Sequence, residues 1–448
     1  AGGRGPGRSR DRVMSAKIAA QLVTQRRFLP LLLAQSLGAF NDNFFRYSLV
    51  TLVTFGGLTL FDIERAMMVP IAASLFTVPI FLFSAVAGRM ADKFDRTRIM
   101  RFAKFAEIWL MLIVALGFFL EEPLLLMVAL FLMGAQSACF TPAKNSALPT
   151  LLADHELVPA NAMMSGLLNV SVLVGIGLGT WLVMRPFGPE LVGLGLVVMA
   201  VLGWLASRQL PEAKAARPDM PLTINFIGET FRVLAYAFKA PQVLRPLLGA
   251  AWFWMLAASI ITLMPVFTAS VLGADETVVL LFSALFTIGA AIGALLCGAL
   301  SGDGDALPFS ITGAIGLVVF TTDVALVTWN NPVVPEGAAL IAADAFLADK
   351  ANWRILADLG LAAISAGLFV VPLQAMAQRR APAELRGRLL AAGGIMNAAT
   401  ATLGQFSLAG IALIQLPIQM AFLMIAFVSG LAVLFILWRL NLRRGAKG

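Results

Sequence analysis

Runs of about twenty apolar residues alternate along this chain with short polar segments. An α-helix rises about 1.5 Å per residue, so ~20 apolar residues are needed to cross a hydrocarbon core of ~30 Å. On that criterion the sequence predicts spans at 30–56, 67–90, 99–119, 123–148, 158–184 and 190–208. A second set is predicted at 246–271, 277–300, 307–329, 353–377, 388–414 and 417–440. The run 388–414 is the least distinct, being rich in Ala, Gly and Thr. Between the sets, PEAKAARPDMP reads as a polar linker, and Ile224, Ile227, Phe231, Leu234 and Phe238 then recur at helical spacing, as on an amphipathic helix lying on a membrane surface. The expected fold class is an all-α polytopic membrane protein of twelve transmembrane helices in two six-helix bundles. The expected organisation is a tail over 1–27, a bundle over 28–208, a linker over 209–245, a second bundle over 246–440 and a tail over 441–448.

Composition agrees with that pattern. Hydrophobic residues make up 59% of the 448 positions and charged residues 13%, against roughly 25% charged in a soluble domain. The net charge of +8 would suggest nucleic acid in a soluble protein, but here the basic residues sit in the short segments between apolar runs, so no nucleic-acid partner is expected. The tail (Arg4, Arg8, Arg10, Arg12, Lys17, Arg26, Arg27), the 89–101 loop, the 208–245 linker, the 379–388 loop and the C-terminus hold 26 of the 33 Lys and Arg residues. The opposite set of segments holds only Arg65, Arg185, Lys350 and Arg354. By the positive-inside rule both termini are cytoplasmic. The 330–352 connection, with Glu336, Asp344 and Asp349, lies outside. The Arg- and Gly-rich start has no apolar core and does not read as a cleavable signal peptide. Cys139 and Cys297 each lie inside an apolar run, which disfavours a disulfide. His155 is the single histidine, and there is no metal motif, no GxSxG and no phosphate-binding loop. No cofactor is expected, and neither an enzyme nor an ATP-driven pump.

After the second span stands Gly88-Arg89-Met90-Ala91-Asp92-Lys93-Phe94-Asp95-Arg96-Thr97-Arg98. This run resembles the signature loop of the major facilitator superfamily, at the right ordinal position, with Asp95 where Gly is more usual. Gly88 would let helices approach closely. Asp92 would accept from the N-terminal end of a helix in the other half, or pair with Arg96, so that Gly88, Asp92, Lys93, Arg96 and Arg98 form a cytoplasmic latch. The plain alternative is a solvated turn. The corresponding loop after span eight, Gly298 to Asp305, keeps acids but no arginine. Gly175, Gly177 and Gly179 in span five, and Gly289 and Gly293 in span eight, read as packing positions.

Further stretches narrow the likeness: RRFLPLLLAQSLGAFNDNFFRYSLVTLVTF, ACFTPAKNSALPTLL, WFWMLAASIITLMPVFTASVLGADETVV and WRILADLGLAAISAGLFVVPLQAM. Together they resemble the bacterial lysophospholipid transporter family, over residues 26 to 440. The likeness extends to the transporter half fused to a 2-acylglycerophosphoethanolamine acyltransferase. The resemblance implies flippase-like movement of lysophosphatidylethanolamine across the inner membrane to the cytoplasmic leaflet, where an acyltransferase restores the diacyl lipid. No acyltransferase follows Gly448; the alternatives are a stand-alone transporter, a shortened chain, or a separate partner. The stand-alone members carry an arginine in span seven, whereas Ala257 to Thr262 is uncharged here, so the substrate phosphate needs another cation.

Ionisable side chains inside spans are costly and mark candidate sites. Asp42 lies twelve residues after Pro30, roughly 18 Å along the helix and near the midplane. Asn41 and Asn43 flank it, and Arg46 follows one turn on, either as a substrate ligand or as a neutralising partner. The resemblance places Asp42 in the headgroup site. Lys144 matches the family's Ser/Thr-Pro-Ala-Lys lysine; its alternative is snorkelling to the interface. Lys104 and Glu107 read as a structural pair or part of the site. Arg354 and Asp358 read as an outer-gate pair or a surface pair, and Asp323 as structural. Gln136, Asn169, Gln374, Asn397 and Gln405 read as helix-packing contacts. Arg46 and Lys144 would attract the phosphate, and Asp42, with Glu107, the ammonium. Two other readings stand beside this one. One is a proton-coupled exporter of amphipathic drugs, against which span five lacks a Gly-Pro pair. The other is a non-transporting membrane scaffold or receptor. The expected state is a monomer among membrane lipids.

Overall fold

The computed structural model describes residues 21–59, 63–215, 217–219, 221, 225–301, 307–335, 337–381 and 386–445. Expectations that fall on Ala1 to Ala20, Ile224, Gly302 to Asp305, Glu336 and 446–448 lie outside the described residues, as does the His155 side chain. Among the described residues there are twelve long helices: α1 (Leu29–Phe55), α2 (Arg65–Lys93), α3 (Arg96–Phe119), α4 (Pro123–Leu151), α5 (Asp154–Val183), α6 (Gly188–Arg208), α8 (Pro241–Ser270), α9 (Glu276–Ser301), α10 (Leu307–Val327), α12 (Asn352–Arg380), α13 (Arg386–Leu413) and α14 (Gln419–Gly445). Two short ones, α7 (Phe226–Phe238) and α11 (Ala343–Ala348), occupy connections. Nine of the long helices are long and apolar enough to cross a membrane by length and composition. The set leaves out α1, diluted by Gln35, Asn41, Asp42, Asn43 and Arg46, and the Ala-, Gly- and Thr-rich α13. It also leaves out α14, within which the described residues give only the shorter apolar helix Gln419–Phe435. The all-α expectation holds, with helices where the apolar runs placed them. Lipid offers no partner for backbone N–H and C=O groups, so a chain of this composition has to satisfy them within helices.

Local chemistry fixes several helix ends. The Asp95 carboxylate accepts from Arg98 N at 2.9 Å and caps α3. The unusual residue of the signature loop therefore supplies a helix start. Pro123 and Pro241 open α4 and α8, where a missing N–H costs nothing. Glu156 accepts from Ala153 N at 2.9 Å and pairs with Arg27 at 2.6 Å, tying the start of α5 to the segment before α1.

The chain forms two compact units. The first comprises residues 1–49 and 82–229. In it α1 lies so close to α5 that a methyl on Gly175 would stand 2.7 Å from the Phe40 carbonyl, and one on Gly179 would stand 2.6 Å from the Phe44 carbonyl. Small residues permit such approaches where lipid gives no hydrophobic drive for helix association. Gly88 and Gly177 behave differently: a Cβ on either would meet nothing within 4 Å among the described residues, so the close approach expected at these two positions is not found.

The second unit comprises residues 50–81 and 230–448. Its tightest crossing joins α9 and α12, where a methyl on Gly293 would stand 2.0 Å from the Ile364 carbonyl and one on Gly367 2.3 Å from that of Ala290. Around it lies an apolar core that includes Phe267 and Phe422, with ring centroids 4.9 Å apart. Thr77 hydrogen-bonds Thr402 at 2.7 Å and Gln405 at 2.9 Å, so residues 65–81 of α2 belong to this unit. Along α7, Ile227, Phe231 and Phe238 are exposed, whereas Glu229, Thr230 and Ala237 are buried.

These contacts predict opposite outcomes for one residue type. Gly179→Leu should destabilise the purified protein by about 1–3 kcal/mol or more, as overpacking does, and lower its thermal midpoint in detergent. Gly88→Ala should leave the midpoint unchanged. Equal effects at both positions would contradict the α1–α5 crossing.

Candidate functional site

Asp42 is the central residue of the 27-residue α1. Successive helical residues point about 100° apart, so Asn41, Asp42 and Asn43 address different neighbours. Asn41 is fully buried, and its amide donates to Glu107 Oε1 on α3 at 3.2 Å and to the Leu196 carbonyl on α6 at 3.1 Å. Asp42 Oδ2 accepts from Ser137 Oγ on α4 at 3.0 Å. Asn43 donates back to the Ala39 carbonyl at 2.8 Å and accepts from Arg46 Nη2 at 2.7 Å. Arg46, one turn on, donates to Asn43, lies 5.4 Å from the centroid of the Tyr47 ring and acts on Asp42 through its charge.

Behind Asp42 lies a closed polar cluster. Lys104 Nζ donates to Glu107 Oε2 at 2.6 Å, with both side chains 2% exposed. Gln136 donates to the same oxygen at 3.1 Å and to the Ala103 carbonyl at 3.1 Å. The Lys104 ammonium also stands 5.0 Å from the Phe140 ring centroid, a cation–π distance. Glu107 thus receives donors from α1, α3 and α4. Sequence offered Lys104 and Glu107 as a structural pair or as part of the site; the structure places them as a buried pair in the core, bonded to protein on every side it shows. Their effect on any ligand runs through Asn41 and Gln136. Lys144 is half-buried on α4 and, among the described residues, makes no ion pair or hydrogen bond. It follows Ser137 by seven residues, which puts it on the same face of α4, about 10 Å further along.

The 88–98 loop holds the linker that follows α6. Arg89 pairs with Glu229 and donates to the Pro221 carbonyl at 2.7 Å. Arg96 is buried; its backbone N–H donates to the Ala213 carbonyl at 3.0 Å and its Nε to the Ala91 carbonyl at 3.2 Å. Thr97 donates to the Pro211 carbonyl at 2.7 Å, and Arg217 N to the Asp92 carbonyl at 2.8 Å. The Asp92 carboxylate does not pair with Arg96, contrary to one expectation, because the guanidinium is turned to the end of α2 instead. Lys93 lies 6.0 Å from the Phe94 ring centroid, and Arg98 is exposed.

The pairing expected between Arg354 and Asp358 is also replaced. Arg354 forks onto Asp323 of α10, with Nε at 2.9 Å from Oδ2 and Nη2 at 2.6 Å from Oδ1. Asp358 stays buried beside that pair. A planar guanidinium prefers the two-point contact that Asp323 offers from across the helix interface.

The sequence profile described as the Major Facilitator Superfamily matches residues 28–343. The chain belongs to that superfamily. Relatives include the lysophospholipid transporter LplT of Serratia proteamaculans, 25% identical over 358 residues, covering 79% of this chain and 80% of that one. The protein of the same name from Escherichia coli is 25% identical over 360 residues, covering 78% and 79%. The resemblance to lysophospholipid transporters is thus borne out. Among solved structures, a D-xylose-proton symporter superposes with a TM-score of 0.67 at 13% identity, covering 92% of this chain and 96% of that one. A POT family transporter in complex with 5-aminolevulinic acid superposes with a TM-score of 0.65 at 15% identity, covering 91% and 95%. At that identity these two likenesses show the fold. As a superfamily member with this set of apolar helices, the chain is a multi-pass membrane transporter.

Sequence reasoning missed Ser137 as the hydroxyl on Asp42 and read Asp323 as structural only. The adjacent polar pair Gln136-Ser137 inside the apolar run of span four was the available signal.

For this superfamily member, removing one partner of the buried Lys104–Glu107 pair should cost about 3–5 kcal/mol, because a charge is left uncompensated. Glu107→Leu should therefore unfold at lower temperature than the double variant Lys104→Met/Glu107→Leu. Melting curves in detergent check the order; a double variant less stable than Glu107→Leu would contradict it.

Proposed function

We propose that this transporter moves lysophospholipids, foremost lysophosphatidylethanolamine, across the bacterial inner membrane to the cytoplasmic leaflet for re-acylation. The relatives' names give the substrate class. The observation that carries the reading is Asp42: a carboxylate at the centre of α1, held by the Ser137 hydroxyl, with the Arg46 guanidinium one turn on.

A lysophosphatidylethanolamine headgroup is zwitterionic, so its site needs an anion and a cation at fixed separation. Asp42 takes the ammonium. Arg46, one turn on, and Lys144, along the face of α4 that bears Ser137, take the phosphate at successive stages. They replace the span-seven arginine that Ala257 to Thr262 lacks. Asn43 holds the Arg46 guanidinium, and Asn41 fixes the roll of α1 through its bonds to α3 and α6. The Asn41 Oδ1 has no donor among the described residues and adds an acceptor beside the ammonium. The closed Lys104–Glu107–Gln136 cluster is the scaffold that keeps Asn41 and Ser137 in place. The acyl chain lies against apolar side chains or between helices in lipid.

Both termini are cytoplasmic in this reading, and the protein works as a monomer by rocking two six-helix bundles, 28–208 and 246–440, about the central site. The 88–98 loop, with Gly88, Asp92, Lys93, Arg96 and Arg98, serves the cytoplasmic gate. Arg354 and Asp358 serve an outer one. A cytoplasmic acyltransferase consumes the delivered lipid.

The test is uptake of labelled lysophosphatidylethanolamine by liposomes containing the purified protein, against protein-free vesicles. Asp42→Asn should reduce protein-dependent crossing at least tenfold while the melting temperature stays within a few degrees. Full uptake by the variant would remove Asp42 from the site. No crossing by folded wild-type protein, together with amphipathic-drug flux driven by a pH gradient alone, would establish the exporter reading instead.

A further inference from the structure

In the first unit, the face that α3 and α6 turn away from α1 carries a cluster with no part in the Asp42 site. Both helices are long and apolar enough to cross a membrane. They pack antiparallel. Near the start of α3, Arg101 donates to the carbonyls of Ser207, Arg208 and Leu210 past the end of α6, at 3.3, 3.2 and 2.6 Å. Near the other end, a methyl on Gly193 of α6 would stand 2.9 Å from the Ala115 Cα of α3. Along α3, Arg98, Phe102, Phe105, Trp109, Leu112 and Leu116 recur every three or four residues and are all exposed, so they form one stripe. Leu202 and Leu205 on α6 are exposed as well. An exposed apolar stripe on a spanning helix is covered by lipid.

The two ends of this stripe differ. Toward Leu112 and Leu116 it is aliphatic. Toward Arg98 it is aromatic: the Phe105 ring centroid lies 6.3 Å from that of Trp109 and 5.9 Å from that of Trp204 on α6. The Arg208 guanidinium stands 5.1 Å from the Trp204 centroid. Arg98 lies one turn before Phe102 and is exposed, as is Arg208. Among the described residues neither of these two side chains is paired with a carboxylate. The carbonyls at the end of a helix carry partial negative charge, but those at the end of α6 are already taken by Arg101. Two guanidinium groups therefore stand uncompensated at the same end of the helix pair, beside an aromatic platform.

Tryptophan favours the level of the lipid headgroups, where its ring is half in hydrocarbon. A guanidinium takes a phosphate by two parallel hydrogen bonds. These two preferences place a phospholipid on this face, with its phosphate at Arg98 and Arg208 and a chain running over Phe105 and Trp109 toward Leu116. The charge decides which phospholipid. A zwitterionic headgroup brings its own cation toward two others; an anionic one does not. Basic clusters at the ends of spanning helices select anionic headgroups on the same ground.

We propose that the α3–α6 face is a binding site for a phospholipid with an anionic headgroup, held by Arg98 and Arg208 over the Phe105–Trp109–Trp204 platform. This site is independent of the transport reading. It faces the bilayer, whereas Asp42 is bonded to Ser137 inside the unit.

The experiment uses the full chain in phosphatidylcholine nanodiscs. Photoactivatable phosphatidylglycerol and phosphatidylethanolamine, each added in trace amount, share the same diazirine-bearing chains, and labelled peptides are identified by mass spectrometry. Phosphatidylglycerol should label residues 102–109 and 202–205 at least fivefold more than phosphatidylethanolamine. The double variant Arg98→Gln/Arg208→Gln should bring the two probes to within twofold. Arg185→Gln should leave the excess intact, although Arg185 also stands over a tryptophan, 5.0 Å from the Trp181 centroid. On the unaltered protein, raising the salt to 0.5 M should shrink the excess, since exposed charges are screened. That second measurement needs no variant to fold. Equal labelling by the two probes, an excess that survives the double variant or high salt, or an excess lost with Arg185→Gln would overturn the proposal. So would a face left unlabelled by both probes in a protein that runs as a dimer, which would assign the face to a second copy of the chain.

Discussion

Among lipid tails no water can take a hydrogen bond, so each polar group on α1 has to find its partner inside the protein. The Lys104–Glu107 pair is where that requirement is met most fully. One carboxylate, almost sealed from solvent, collects an ammonium, an asparagine amide and a glutamine amide from three helices. Such a pair is weak evidence for stability, because desolvation offsets much of the attraction. Its consequence is registry: the three donors fit only one relative height and roll of α1, α3 and α4. The position of Asp42 against Ser137 follows from that registry.

The 88–98 loop applies the same principle outside the apolar spans. Its arginines are turned mostly onto backbone carbonyls of the segment after α6: Arg89 onto Pro221, Arg96 through its N–H onto Ala213, and Arg101 onto Leu210 at 2.6 Å. The basic residues of this loop therefore hold an otherwise irregular stretch of chain. Charge patterning and local structure are two readings of one set of side chains.

The span positions were legible in sequence because the hydrophobic period repeats over whole helices, and the centrality of Asp42 followed from counting residues. Interhelical partners were not legible. Sequence spacing carries only the geometry within a helix, so it offered Arg46 to Asp42, Arg96 to Asp92 and Asp358 to Arg354, each four residues apart. The structure adds hydrogen-bond partners that this spacing did not offer: Ser137 for Asp42, the Ala91 carbonyl for Arg96, and Asp323 for Arg354. Glycine shows the same limit. Gly175 and Gly179 sit against the α1 backbone, while a Cβ on Gly88 or Gly177 would meet nothing within 4 Å among the described residues, and nothing in the residue type distinguishes them.

The contacts of α1 have a mechanical corollary. From Gln35 to Ser48 it is bonded to the Met164 carbonyl at 2.9 Å, to Glu107 and Leu196, to Ser137, and to the Gly179 carbonyl at 3.2 Å, on four different helices. Rolling α1 about its own axis would break bonds on all those sides at once, and sliding it would drive the Phe40 and Phe44 carbonyls into α5. This stretch therefore has no independent degree of freedom. It can only be carried by its neighbours, so any force applied at Asp42 would act on a whole block of helices rather than on one.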